Sequence, residues 1–210
     1  MISLSEILHT IAQALMIPCL IILIILMAGA VWQIGDIVVE YIAERRKHKC
    51  NVPQLLRDVH TAGADGLAEL IESSGLLRRQ KKALLELAES RGLPKDTLTA
   101  LAERLLATEE ARNARTTSVT DMIAKLGPMF GLLGTLIPLG PGIVALGQGD
   151  TVTLSESMNV AFDTTIAGVI SAAVASVISH IRKRWYNDDM VSLETLMEAV
   201  LEEVTSDVEG

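Results

Sequence analysis

Three long stretches without charge divide the chain. From Ile7 to Gly35 there is no Asp, Glu, Lys or Arg. These 29 residues exceed the ~20 that a helix needs to cross ~30 Å of hydrocarbon. The densest part is Leu20 to Leu26, and Trp32 follows as an interface anchor. A second uncharged run extends from Leu126 to Gly149. A third goes from near Ser157 to Arg182 and is interrupted by Asp163 alone. Each is long enough to span.

The roughly 80 residues between the first and second spans, 41–122, have a different rhythm. Leu76, Leu77, Ala83, Leu84, Leu87 and Ala88 recur at helical spacing, and Gly92-Leu93-Pro94 breaks the pattern. Pro94 suits the first turn of a new helix, whose face carries Leu98, Leu101, Leu105 and Leu106. That helix is expected to continue into the second span. Leu193, Leu196, Met197, Val200 and Leu201 then mark a short acidic amphipathic helix after Arg184. Strand-like alternation is missing throughout. The predicted fold is an all-α integral membrane protein in four parts. These are a first span (1–40), a helical cytoplasmic section (41–122), the second and third spans (123–181) and a cytoplasmic C-terminal helix (182–210).

Charge placement sets the orientation. Arg45, Arg46, Lys47 and Lys49 follow the first span, Arg112, Arg115 and Lys125 precede the second, and Arg182, Lys183 and Arg184 follow the third. Met1 to Thr10 and Gln148 to Glu156 carry no Lys or Arg. Basic flanks stay in the cytoplasm. The expected topology is therefore N-terminus out, C-terminus in, with three crossings of the cell (inner, cytoplasmic) membrane. The first ten residues lack a basic n-region and the first run is too long for an h-region, so no cleavable signal peptide is expected.

Composition narrows the function. Half of the 210 residues are apolar, only 3% are aromatic, and net charge is −8. The basic cluster Arg78-Arg79-Gln80-Lys81-Lys82 sits among acids with no aromatic for base stacking, so nucleic acid is not an expected partner. Cys19 and Cys50 are too far apart along a helix to bridge. His9, His48, His60 and His180 match no zinc spacing, and no metal or other cofactor is expected. The chain has no Ser/His/Asp constellation, no HExxH and no phosphate-binding glycine loop. It does not read as an enzyme.

Chemistry concentrates in the second and third spans. Gly127, Gly131 and Gly134 share a helix face, with Thr135 one turn above Gly131. Small residues at this spacing let backbones approach where lipid gives no hydrophobic drive between helices. Pro138 and Pro141 are expected to bend the helix. In the third span Thr165, Gly168, Ala172 and Ser176 line up, flanked by Thr164, Ala175 and Ser179. Such a hydroxylated stripe serves as interhelical glue or as the wall of a wet pore. Asp163 is the one acid inside a span: either a group giving ions access, or a carboxylate near enough to the outer end to reach headgroup water.

Gly131-Leu-Leu-Gly-Thr135 preceded by Pro128, paired with Ala161-x-x-x-Thr165-x-x-Gly168 in the next span, resembles the two signature helices of the ExbB/TolQ/MotA proton-channel family. The order of spans and insertion matches as well. Ala173-Val174-Ala175 stands where the bacterial pattern has Ile-Pro-Ala, and the prolines after Leu136 replace glycine and methionine, as in a divergent member. The resemblance implies a homo-oligomer, a ring of five, around an ExbD/TolR-like single-span partner whose membrane Asp carries the proton. It implies lumen-facing hydroxyls at Thr135 and Thr165, with Thr164 and Ser176 beside them. Ion flow, of H⁺ or Na⁺, would drive work outside the membrane. The competing reading is a membrane-anchored scaffold or signalling adaptor acting through its cytoplasmic helices. Uniformly Leu/Ile/Val tethers would suffice for that, and the small, hydroxylated stripe argues against it.

Overall fold

The computed structural model describes residues 4–42 and 51–209; the basic residues Arg45 to Lys49, and Cys50, lie outside them. The described residues form helices and no strand. In chain order these are α1 (Leu4–Ala14), α2 (Met16–Glu40), α3 (Val52–Ser73), α4 (Arg78–Glu89), α5 (Lys95–Gly147) and α6 (Thr151–Glu209). Glu6–Glu40, Lys95–Gly147 and Thr151–Ser206 are each long and apolar enough to cross a membrane.

The boundaries have local causes. The first apolar run is divided at Leu15, whose N–H is shared between the carbonyls of Ile11 and Ala12 at 3.0 and 3.2 Å. Pro18, three residues on, has no N–H to offer Ala14. Within α3, Gly63 interrupts the helical dihedrals at φ 64°, ψ 174°, a conformation that glycine alone adopts without strain. The Gly92-Leu93-Pro94 break separates α4 from α5. α5 continues through Pro128, Pro138 and Pro141 as one 53-residue helix. α6 runs 59 residues, so the acidic tail is not a separate short helix but the end of the third apolar helix. No glycine or proline stands between Gly168 and Gly210 to stop it.

The turn from α5 to α6 is tight. Gly149 takes φ 75°, and Asp150 caps α6. Its carboxylate accepts the Val152 and Thr153 amides, both at 3.1 Å, and the Thr153 hydroxyl at 2.5 Å. The Thr153 hydroxyl and amide hold the Asp150 carboxyl below the usual carboxylate range.

The chain forms two compact units, Met1–Ile37 with Thr117–Ile181, and Val38–Thr116 with Arg182–Gly210. In the first, Leu26 and Ala30 of α2 pack with Ile123 of α5 and Ala175 of α6. Most other large apolar side chains of this unit point outward: Ile24 is 62% exposed, Met129 64% and Ile166 56%. Apolar surface this continuous is what a lipid-facing helix presents.

In the second unit Leu84 and Leu87 of α4, Leu67 of α3, Leu98 of α5 and Leu196 and Val200 of α6 form a closed apolar core. The same unit holds an ion pair with one buried partner. Arg182 is 1% exposed, and its Nε donates to Glu40 Oε2 at 3.1 Å. The Tyr186 hydroxyl also bonds Glu40; burial first, then the Glu40 charge, pushes Tyr186 up to about 12. Tyr41 stacks on Trp185 with ring centroids 6.2 Å apart.

Candidate functional site

In the first unit α5 and α6 run antiparallel and meet backbone to backbone along a seam of small residues. A methyl group added at Gly168 would lie 2.5 Å from the Gly127 carbonyl oxygen and 2.9 Å from the Gly131 Cα. One added at Gly127 would lie 2.6 Å from the Gly168 carbonyl oxygen and 3.0 Å from the Ala172 methyl. At Gly134 it would meet the Thr164 Cβ at 2.7 Å. Gly127, Gly131, Gly134, Thr164, Gly168 and Ala172 thus lie together in one contact.

The hydroxyls divide around this seam. Thr164 is buried within it; its hydroxyl is shared between the carbonyls of Ala161 and Val160 at 2.9 and 3.0 Å. Thr135, Thr165 and Ser176 are half-buried at its border. Thr135 donates to the Leu132 carbonyl at 2.6 Å and Thr165 to that of Ala161 at 3.2 Å. Both thus rest on their own helices, with acceptor lone pairs to spare.

At about 100° per residue, Thr135 lies ~40° round α5 from Gly131, and Thr165 and Ser176 lie ~60–80° round α6 from Gly168. Because the helices are antiparallel, these rotations point to the same side of the seam. α2 packs on the other side, where the Cys19 thiol meets the Phe130 carbonyl at 3.4 Å and Ile123 meets Leu26 and Ala30. The hydroxyl edge is therefore the edge that α2 leaves uncovered. Asp163 is exposed and lies ~160° round α6 from Thr165, so the fold does not bring it to that edge. Pro141 is half-buried on α5, and Pro138 is buried.

Asp121 belongs to the hydroxyl edge and is not singled out by sequence. Its carboxylate accepts a hydrogen bond from the Ser179 hydroxyl across the α5–α6 contact. Nearby, the Thr120 hydroxyl, fully buried, faces the Gln33 amide oxygen of α2 at 3.5 Å. Asp121 lies five residues before the uncharged run, which is why a search for charges within spans passes over it. The available signal was Ser179, at the Thr165-to-Ser176 end of the same stripe. Among the described residues no His/Cys/Asp/Glu cluster could hold a metal.

Two antiparallel apolar helices sealed by glycines, with hydroxyls along one open edge, are suited to lining a path for water and ions. None of the curated proteins matches the chain. A family model does, over residues 71–195, which takes in α4, α5 and most of α6 with the whole seam and its hydroxyl edge. On that match, over more than half of its length, the chain belongs to the MotA/TolQ/ExbB proton channel family.

Proposed function

We propose that the chain is the ion-conducting ring subunit of a motor complex in the cytoplasmic membrane. It crosses three times with its N-terminus outside, and it acts as a conduit rather than an enzyme. Five copies surround a single-span partner of the ExbD/TolR type, and H⁺ or Na⁺ passing between ring and partner drives work outside the membrane, such as transport. One observation carries this reading: the hydroxyls of Thr135, Thr165 and Ser176 line the edge of the seam that α2 leaves open. A seam needed only for packing has no use for three hydroxyls on its open side. In a ring that edge faces the lumen. There the hydroxyls pass protons or solvate the ion beside the partner's carboxylate without titrating themselves.

The test is a double substitution, Thr135→Val with Thr165→Val, which keeps shape and removes both hydroxyls. Each hydroxyl already bonds its own helix, so assembly on native gels is expected to stay within about twofold of the parent, since membrane hydrogen bonds average only ~0.6 kcal/mol. Ion-dependent output is expected to fall at least about tenfold, and Thr→Ser at both sites to retain part of it. Normal output from the Val/Val protein would falsify the pore assignment and leave the family assignment intact.

A further inference from the structure

The second unit carries two solvent-facing stripes of opposite charge that do not meet within one chain. On α5, Arg104, Arg112 and Arg115 are exposed and fall on one face with Ala107, Thr108 and Ala111 between them. At about 100° per residue this face is centred roughly 110° round the helix from the one that buries Leu98 and Ala102. The α5 carboxylates Glu103, Glu109 and Glu110 project outside it. On α6, Glu194, Glu198 and Glu202 are exposed at i, i+4 and i+8, beside Thr195 and Val191, and opposite the buried Leu196 and Val200. Among the described residues Arg104, Arg112 and these three glutamates make no ion pair.

The stripes are comparable in length and opposite in sign. Arg104 to Arg115 covers eleven residue steps, about 16 Å, and Glu194 to Glu202 covers eight, about 12 Å. Counted along the chain, the arginines stand 11 to 22 residues before Leu126, and the glutamates 12 to 20 residues after Arg182. In copies that cross one membrane in the same sense the two stripes are therefore in step. Small residues between the arginines allow a second helix to lie close. A contact between two different faces of identical chains is the head-to-tail kind that closes into rings.

We infer that the arginine face of α5 in one copy docks on the glutamate face of α6 in the next, forming the interface of the ring outside the membrane. The inference rests on the ring reading above and names the surfaces that join. A nucleic acid is the poorer occupant of the arginine face, because the chain as a whole carries a net charge of −8. Exposed pairs of this kind add modest affinity each and mainly fix register and partner.

The test uses the full-length chain in membranes, co-expressed as two tagged copies with Cys50 replaced by serine. One copy carries Ala111→Cys and the other Thr195→Cys. Oxidation is expected to give a cross-linked product bearing both tags. Arg104→Glu with Arg112→Glu in the first copy is expected to lower that yield at least about fivefold. Adding Glu194→Arg with Glu198→Arg in the second copy is expected to restore it. Native mass spectrometry of the same samples counts the copies. Intact rings with no cross-link, or with a yield indifferent to charge reversal, would overturn this interface and leave the ring standing. Monomers alone would overturn the ring reading, and the interface with it.

Discussion

Gly127, Gly131 and Gly168 are where single side chains decide the packing. A Cβ at Gly168 would lie 2.5 Å from a backbone oxygen, and backbone cannot swing aside as a flexible side chain can. Gly35, also in an apolar helix, has open space around it, with nothing within 4 Å. Gly168→Ala is therefore expected to destabilise the subunit by about 1–3 kcal/mol, the usual cost of overpacking. Gly35→Ala is expected to be neutral or slightly stabilising, since alanine is the better helix former. Thermal unfolding in detergent separates the two. Equal melting temperatures would mean that the α5–α6 seam is looser than this geometry requires. The hydroxyl residues divide by the same logic. Thr164 stands where Gly134 makes room for it, whereas Thr135 and Thr165 sit at the border, and spacing alone could not separate packed from open positions among adjacent threonines.

Among the elements, legibility followed the local signal. The helices of the second unit are plain in the leucine spacing, because Leu84, Leu87, Leu98 and Leu196 recur with the helical period and all reach the core. Less legible was the join of the third apolar helix to the acidic tail. The change from apolar to charged residues at Arg182 suggests a boundary, but a change of solvent does not end a helix when no residue breaks it. The partner of buried Arg182 was also hidden, since Glu40 lies far away in sequence. That pair ties the end of α2 to α6. Removing one partner leaves a charge desolvated, whereas removing both does not. Arg182→Met alone is expected to lower the melting temperature more than Arg182→Met combined with Glu40→Gln. A double-mutant cycle measures this, and strict additivity would show that the pair is not coupled. Tyr186 adds a pH signature. Its pKa is raised from 10 to about 12, so its contribution is full below pH 10 and disappears as pH rises through about 12.

For the whole molecule the open quantity is direction across the membrane, and it rests on charge. Three basic flanks, at Arg45 to Lys49, at Arg112 to Lys125 and at Arg182 to Arg184, must share one side if the chain crosses three times. The segment between α5 and α6, with no Lys or Arg from Gln148 to Glu156, must lie on the other. The positive-inside rule supports the proposed orientation, with the basic side in the cytoplasm. A thiol reagent that cannot cross the membrane, applied to intact cells, tests this directly. Gln148→Cys is the better probe for the α5–α6 turn, because neighbouring Gly149 holds φ 75° and a side chain there would strain the turn. Cys19 is buried against α5 and is expected to stay silent. Labelling of the thiol introduced in the α5–α6 turn is expected in intact cells, and labelling of Cys50 only after the cells are opened. Labelling of Cys50 in intact cells, with the introduced thiol reached only after lysis, would invert the orientation. The seam and its hydroxyl edge would be unchanged in that case, but the side on which the proposed complex does its work would reverse.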